Sequence, residues 1–112
     1  MANKDNIKKH IFDSLDKILE QRKTANPDES YTAKLFSEGV DSILKKVSEE
    51  ATETIVASKC GDNAAIIHEI ADLWFHTIIL LKYHGLKTDD VLKELEKRLG
   101  LSGIYEKASR NK

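Results

Sequence analysis

The chain has 112 residues, of which 40% are hydrophobic and 33% are charged, and its formal net charge at pH 7 is −1. This size suits one soluble domain, and the near-neutral charge excludes the basic footprint of a nucleic-acid-binding protein. The sequence has no uninterrupted apolar run of about 18 residues, no signal-peptide pattern and one cysteine, which excludes an internal disulfide. We therefore expect a cytoplasmic protein that does not bind membranes.

Apolar residues with helical spacing predict five helices and no strand. Ser30, Asp41 and Thr88 are the predicted N-caps of the second, third and fifth helices. Glycine is expected to end a helix at Gly85 and Gly100. The sequence therefore predicts an all-α bundle of four to five helices in a single domain over 1–112, with an irregular basic tail over about 101–112. The predicted helices span about 5–24, 31–38, 42–60, 63–84 and 89–99.

The fourth helix is the most apolar of the five. Its apolar residues cover well over half of its circumference, which predicts a central helix that is buried on several sides. Trp74 and Phe75 are expected in the core or at a subunit interface. Glu69, Asp72 and His76 share the narrower polar strip.

Two pairs of acidic residues occur in the predicted helices. Glu50 and Glu53 are three residues apart in the third helix, and Glu69 and Asp72 are three apart in the fourth. That spacing places both members of a pair on one helix face. If the helices form an antiparallel hairpin about Gly61, residues whose numbers sum to 122 face each other. Glu53 then meets Glu69, and Glu50 meets Asp72. The sequence therefore predicts that four carboxylates converge.

Such convergence favours a bound cation. At about 4 Å and an effective dielectric near 20, like charges repel by roughly 4 kcal/mol. Ligation by oxygen alone suits Mg²⁺, Mn²⁺ or Ca²⁺. A di-iron site is disfavoured because aspartate, not histidine, completes the second motif. The alternative is a pair of solvated helix faces with no metal.

Several other side chains allow two interpretations each, one functional and one structural. Lys46 either contacts a phosphate or forms a simple ion pair with Glu50 one turn later. His76 either contacts a phosphate or base edge, or is a hydrogen-bonded structural residue. Glu49 either positions water as a base or is a surface glutamate. Arg110 either clamps a phosphate or belongs to a solvated terminus. The other histidines, His10, His68 and His84, are expected at the surface.

Several motifs, in this order, resemble phosphoribosyl-ATP pyrophosphohydrolase over about residues 12–111. The acidic motifs alone would indicate only the wider MazG-like all-α superfamily. Ser48 replaces a frequent glycine, and Trp74-Phe75 replaces a more usual leucine–tyrosine pair, but both lie off the acidic face. The matching motifs are Ser30-Tyr31-Thr32, Gly39 with Ile43 to Val47, Glu49 to Glu53, Glu69 to Leu73, His76, Ser102-Gly103-Ile104 and Glu106 to Arg110.

The resemblance implies a MazG-like homodimer that hydrolyses phosphoribosyl-ATP to phosphoribosyl-AMP and pyrophosphate, the second step of histidine biosynthesis. It implies the single-function form, because the cyclohydrolase domain that is fused in some members cannot fit here. Mg²⁺, or alternatively Mn²⁺, would then activate the attacking water. The expected ligands are Glu50, Glu53, Glu69 and Asp72.

The remaining roles are expected mainly from the resemblance. Glu49 would serve as the base, while Lys45, Lys46, His76 and Arg110 would bind the substrate. Two alternatives keep the same carboxylates. One is a housecleaning pyrophosphohydrolase acting on non-standard nucleoside triphosphates, and the other is a non-enzymatic dimeric helical module with a structural cation.

Overall fold

The computed structural model describes residues 10–100, and all regular structure in that range is α-helical. This confirms the predicted all-α class, and the arrangement agrees with a MazG-like fold. Residues 5–9 of the predicted first helix and the predicted tail lie outside the described range. The five helices are α1 (Ile11–Arg22), α2 (Tyr31–Glu38), α3 (Val40–Cys60), α4 (Asn63–Tyr83) and α5 (Thr88–Leu99).

The start of α2 is as predicted, whereas the start of α3 is not. The Ser30 hydroxyl oxygen accepts a hydrogen bond from the Ala33 N–H at 3.2 Å, so Ser30 caps α2. Helix α3 begins at Val40, and its N-cap is Gly39, whose φ of 99° favours glycine. The prediction that Asp41 is the N-cap is therefore wrong. Asp41 lies instead in the first turn, where its charge still suits the helix dipole.

A two-residue reversal joins α3 to α4. Gly61 ends α3 in the left-handed conformation, with φ 74° and ψ 18°. Asp62 then caps α4, because its carboxylate accepts from the N–H groups of Ala64 and Ala65 at 3.1 and 3.3 Å. This tight connection makes α3 and α4 an antiparallel hairpin, as the sequence predicts.

The hydrophobic core lies at the open end of this hairpin, away from the reversal. Here α1 and α2 pack against the beginning of α3 and the second half of α4. Ile43 and Ile79 are both 0% exposed and lie at opposed positions of the two helices. The buried core consists of Leu19, Leu35, Ile43, Ile78 and Ile79.

Helix α4 is less buried in the single chain than its composition predicts. Ile67 is 70% exposed and Trp74 is 57% exposed. The prediction of burial on several sides is therefore wrong for one chain, because α1 and α2 leave these two side chains largely exposed to solvent. Phe75, by contrast, packs against the core as expected.

Helix α4 is also long and apolar enough to cross a membrane, judged by its 21 residues and mean hydropathy of 1.5. The central helix of a soluble protein can meet the same criterion. Glu69 and Asp72 lie on this helix, and ionised carboxylates are costly in a bilayer core. The composition of α4 is therefore weak evidence for a membrane span.

A buried lysine connects α1 to the end of α4. Lys82 is 6% exposed, and its Nζ lies 3.7 Å from Asp16 Oδ1 and 3.4 Å from Glu20 Oε2. The Thr88 hydroxyl and backbone N–H also donate to the Asp16 carboxylate. Asp16 therefore joins three helices through an ion pair with Lys82 and hydrogen bonds from Thr88.

This contact explains why the predicted cap of α5 is wrong. The Thr88 side chain is directed to Asp16, and Lys87 is the N-cap residue. The Asp90 carboxylate accepts a hydrogen bond from the Lys87 N–H at 2.9 Å, so this backbone donor at the start of α5 has a partner. The Thr88 hydroxyl, which the local sequence pattern predicts as the cap, thus donates to Asp16 on α1 instead.

We expect Lys82→Met to lower the free energy of unfolding by about 2 kcal/mol, because Asp16 would lose its buried cation. The measurement is urea unfolding followed by circular dichroism. The matched control is Lys93→Met, which removes an exposed ion pair with Asp89 at 3.3 Å. That change should stay within about 0.5 kcal/mol. Equal losses in the two variants would contradict the assignment.

Candidate active site

The α3–α4 hairpin brings the four predicted carboxylates together in two overlapping groups. One oxygen each from Glu50, Glu53 and Glu69 lie within 4.8 Å of one another. A nitrogen of His68 and oxygens of Glu69 and Asp72 form a second group within the same limit. The predicted convergence is therefore present, and His68 joins it, although its surface position is also as expected. Metal ligation by these residues stays a prediction.

The carboxylates differ in their exposure to solvent. Glu50 is 5% exposed, Glu69 and Asp72 are half-buried, and Glu53 is exposed. One oxygen of Glu50 and one of Glu69, Oε2 in each case, are buried with no hydrogen-bond partner among the described residues. Such atoms are rare because an unsatisfied buried oxygen destabilises the fold. A divalent cation between these oxygens would satisfy both, so the donor set fits an oxygen-ligated metal.

Burial and mutual repulsion make the ionised carboxylates unfavourable here. Burial raises the pKa of Glu50, and the charges of Glu53 and Asp72 raise it further. A hydrogen bond with Glu53 is the main cause of the raised pKa of Glu69, followed by burial. Two carboxyl groups can share that bond only when one is protonated. Without a cation, the cluster therefore favours a bound proton.

Lys46 lies at the edge of the carboxylate cluster. Its Nζ is 3.4 Å from Glu49 Oε2 and 3.9 Å from Glu50 Oε1. The simple ion pair considered from the sequence is therefore present, and Lys46 is still about one-third exposed. Lys45 is exposed on the same helix. Arg110 lies outside the described residues. Its role as a phosphate contact and those of Lys45 and Lys46 remain predictions.

His76 is buried and held by hydrogen bonds at both ring nitrogens. Nδ1 lies 2.7 Å from the Asp72 carbonyl oxygen, which can only accept, so Nδ1 carries the proton. Nε2 lies 2.8 Å from the Tyr31 hydroxyl and accepts from it when the ring is neutral. Contact between His76 and a substrate would require Tyr31 to give up this bond. Substrate binding by His76 therefore stays a prediction.

Tyr31 is a site residue to which sequence reasoning gave no role. It is 51% exposed, and burial of its hydroxyl together with nearby charges raises its pKa. Lys46 acts in the opposite direction through charge and a hydrogen bond. Tyr31 thus links α2 to both helices of the hairpin. Helical periodicity within α3 and α4 contains no signal for this contact, because α2 approaches from outside the register.

Comparison with known proteins gives consistent matches over most of the chain. A family profile described as Phosphoribosyl-ATP pyrophosphohydrolase matches residues 12–99. A Methylococcus capsulatus protein named phosphoribosyl-ATP pyrophosphatase is 56% identical over 100 residues, covering 89% of this chain and 95% of the relative. The same name is given to a Chromobacterium violaceum protein with 54% identity, covering 93% of each chain. A Neisseria meningitidis protein of that name is 53% identical and covers 89% of this chain and 94% of the relative.

The raised pKa of Glu50 gives a signed prediction for the metal-free protein. Because the folded state binds this proton more tightly, stability should fall as pH rises from the ordinary glutamate value of 4.5 through the raised pKa. Glu50→Gln should make this dependence shallower. It should also raise the melting temperature at pH 8 by roughly 4–8 °C if about 1 kcal/mol of repulsion is removed.

The measurement is thermal unfolding in a chelator between pH 5 and pH 8. The control is Glu96→Gln on α5, an exposed position that should keep the wild-type pH dependence. Identical pH profiles for the wild type and Glu50→Gln would refute the account of Glu50.

We also expect Tyr31→Phe to lower the free energy of unfolding by about 1 kcal/mol, because buried His76 would lose its partner at Nε2. Chemical unfolding would measure this loss. Tyr83→Phe is the matched control, since Tyr83 is 40% exposed near the end of α4 and should change stability by less than about 0.5 kcal/mol. A larger loss in the control than in Tyr31→Phe would contradict the assignment.

Proposed function

The chain belongs to the phosphoribosyl-ATP pyrophosphohydrolase family, and we propose that it hydrolyses phosphoribosyl-ATP to phosphoribosyl-AMP and pyrophosphate, the second step of histidine biosynthesis. Relatives that bear the corresponding enzyme name share more than half of their residues with this chain over about nine-tenths of its length. The observation that carries the proposal is the carboxylate cluster with its two partnerless buried oxygens. A triphosphate substrate normally reaches its enzyme as a complex with a divalent cation, which this cluster suits.

We propose Mg²⁺ as the cofactor, with Mn²⁺ as the alternative. Glu50, Glu53, Glu69 and Asp72 would hold it, because their donors are all carboxylate oxygens. When bound, the cation supplies positive charge against the triphosphate and lowers the pKa of a coordinated water. Its charge would also remove the need for the proton that the cluster otherwise favours.

The side chains around the carboxylates supply the other requirements of phosphoanhydride hydrolysis. The Lys46 ammonium lies beside the cluster and can stabilise negative charge that develops on phosphate oxygens. We propose Lys45 and Arg110 as further phosphate contacts and His76 as a substrate contact. Glu49 is the proposed base, because its side chain is 42% exposed and can accept a proton from water next to the cluster.

We further propose that the active form is a homodimer and that it works in the cytoplasm. Support for a dimer comes from Ile67 and Trp74, apolar side chains on α4 that are largely exposed in one chain. The family profile spans 12–99, which supports the proposal of one domain of this family over most of the chain. The proposed partners are therefore the substrate and a second copy, without nucleic acid or membrane.

The site assignment predicts that Glu50→Gln and Asp72→Asn each reduce phosphoribosyl-ATP hydrolysis at least about 100-fold, because each removes an anionic ligand without changing side-chain shape. Pyrophosphate release with Mg²⁺ measures this, and circular dichroism checks the fold. Glu96→Gln on α5 is a carboxylate-to-amide control that should keep wild-type turnover. Retained activity in either cluster variant would rule out the ligand assignment.

The same assay discriminates between the alternative functions. Mg²⁺-dependent pyrophosphate release from phosphoribosyl-ATP, but not from ATP or an oxidised nucleotide, is the expected result. Preference for the oxidised nucleotide would instead identify a housecleaning enzyme with the same site. Absence of release from all three nucleotides would favour a structural cation.

A further inference from the structure

The Tyr31 hydroxyl lies between two polar groups of the α3–α4 hairpin. Its oxygen is 2.8 Å from His76 Nε2 on α4, and it shares a hydrogen bond with the Lys46 ammonium on α3. Tyr31 is the first residue of α2 and directly follows the Ser30 cap, which fixes the backbone that carries the ring. One hydroxyl therefore connects α2 to both helices that carry the carboxylates.

The direction of each hydrogen bond at this hydroxyl is determined when the His76 ring is neutral. The Asp72 carbonyl oxygen accepts from Nδ1 of His76, so Nε2 accepts the single proton of the Tyr31 hydroxyl. The hydroxyl oxygen can then only accept from Lys46, and an ammonium group can only donate. The hydrogen bonds therefore run in one direction, from the ammonium through the hydroxyl and the imidazole to the backbone of Asp72.

The contact with Tyr31 differs from the two ion pairs of Lys46. Glu49 and Glu50 lie on the same helix as Lys46, at 3.4 and 3.9 Å from its Nζ, and the second distance is too long for a hydrogen bond. Neighbours on one helix restrain a flexible lysine only weakly. Tyr31 belongs to another helix, and its own anchor, His76, is 5% exposed. The hydroxyl thus restrains an ammonium that is otherwise carried on a long, partly exposed side chain.

We propose that Tyr31 is a positioning residue for the hydrolysis, which holds the Lys46 ammonium where phosphate oxygens of the substrate meet the carboxylate cluster. The proposal rests on the proposed function, because Tyr31 acts only through Lys46, the proposed phosphate contact. Positive charge that is already in place stabilises a transition state without reorganisation at the moment of reaction. Without the hydroxyl the ammonium keeps its charge but loses this restraint, and misplacement of a group by about 1 Å can lower a rate about 100-fold.

A double-mutant cycle separates positioning of Lys46 from a general structural effect. The measured quantity is kcat/KM of the full chain for phosphoribosyl-ATP with Mg²⁺, with circular dichroism as the check of folding. We expect Tyr31→Phe to lower kcat/KM about tenfold in the wild-type background but less than about twofold in Lys46→Met. The loss vanishes in the second background because the hydroxyl has no ammonium to position.

Lys45→Met supplies the matched background. Lys45 is exposed and is rotated by about 100° around α3 from Lys46, so Tyr31→Phe should still lower kcat/KM about tenfold there. Tyr83→Phe on α4 also removes a tyrosine hydroxyl and should change kcat/KM less than about twofold. Equal losses from Tyr31→Phe in the wild-type and Lys46→Met backgrounds would overturn the proposal, because they would show that Tyr31 acts through the fold alone.

The Michaelis constant gives a second discriminating result. A substrate that binds His76 at Nε2 must displace the Tyr31 hydroxyl from that atom, so Tyr31→Phe would then remove a competitor and lower KM. A lower KM in Tyr31→Phe would therefore also contradict a positioning role.

A measurement without substrate examines the restraint itself. In protein labelled with ¹⁵N at the lysine Nζ atoms, Tyr31→Phe should speed proton exchange between the Lys46 ammonium and water at least about threefold, because one hydrogen bond is lost. Lys45 should show no change, and Lys46→Met identifies the signal. Unchanged exchange at Lys46 would sink the proposal even if activity falls. A wild-type protein that does not hydrolyse phosphoribosyl-ATP would instead contradict the proposed function, which the exchange measurement does not use, so the two failures are distinguishable.

Discussion

The register of the α3–α4 hairpin is the constraint on which the rest of the structure depends. Gly61 and Asp62 alone separate the two helices, so each position on α3 has a fixed partner on α4. That pairing places apolar residues against each other at the open end and acidic residues against each other in the middle. One geometric relation therefore produces both the stable part of the fold and its most repulsive cluster.

The two parts of the hairpin have opposite energetic roles. At the open end, α1 and α2 cover the core, and buried Lys82 joins Asp16 to the end of α4. In the middle, the carboxylates lose solvation and repel one another, which raises the pKa of Glu50 and Glu69. The stabilising contacts at one end allow the other region to keep a charge arrangement that favours a cation. Segregation of this kind is common where a binding site costs stability.

Sequence reasoning found the features that local pattern determines. Helical periodicity gave the five helices, and antiparallel pairing brought Glu53 to Glu69 without knowledge of any tertiary contact. It missed the partnership of Thr88 with Asp16 and that of Tyr31 with His76, because each joins helices that are distant in sequence.

The position of His68 beside the carboxylates could have been predicted from the sequence, since His68 lies one helical turn before Asp72. Trp74 was expected in the core or at a subunit interface; its exposure in one chain excludes the core position, and the interface position stays a prediction.

The tight reversal at Gly61 also limits how the length of this chain can change during evolution. A residue inserted in α4 before Glu69 would rotate the following side chains by about 100° and carry Glu69 and Asp72 away from α3. An insertion in the loop before Ser30 would leave the pairing intact. Insertions and deletions should therefore be selected against throughout the paired helices, from Ile43 to Ile79, and tolerated in loops such as the one before Ser30.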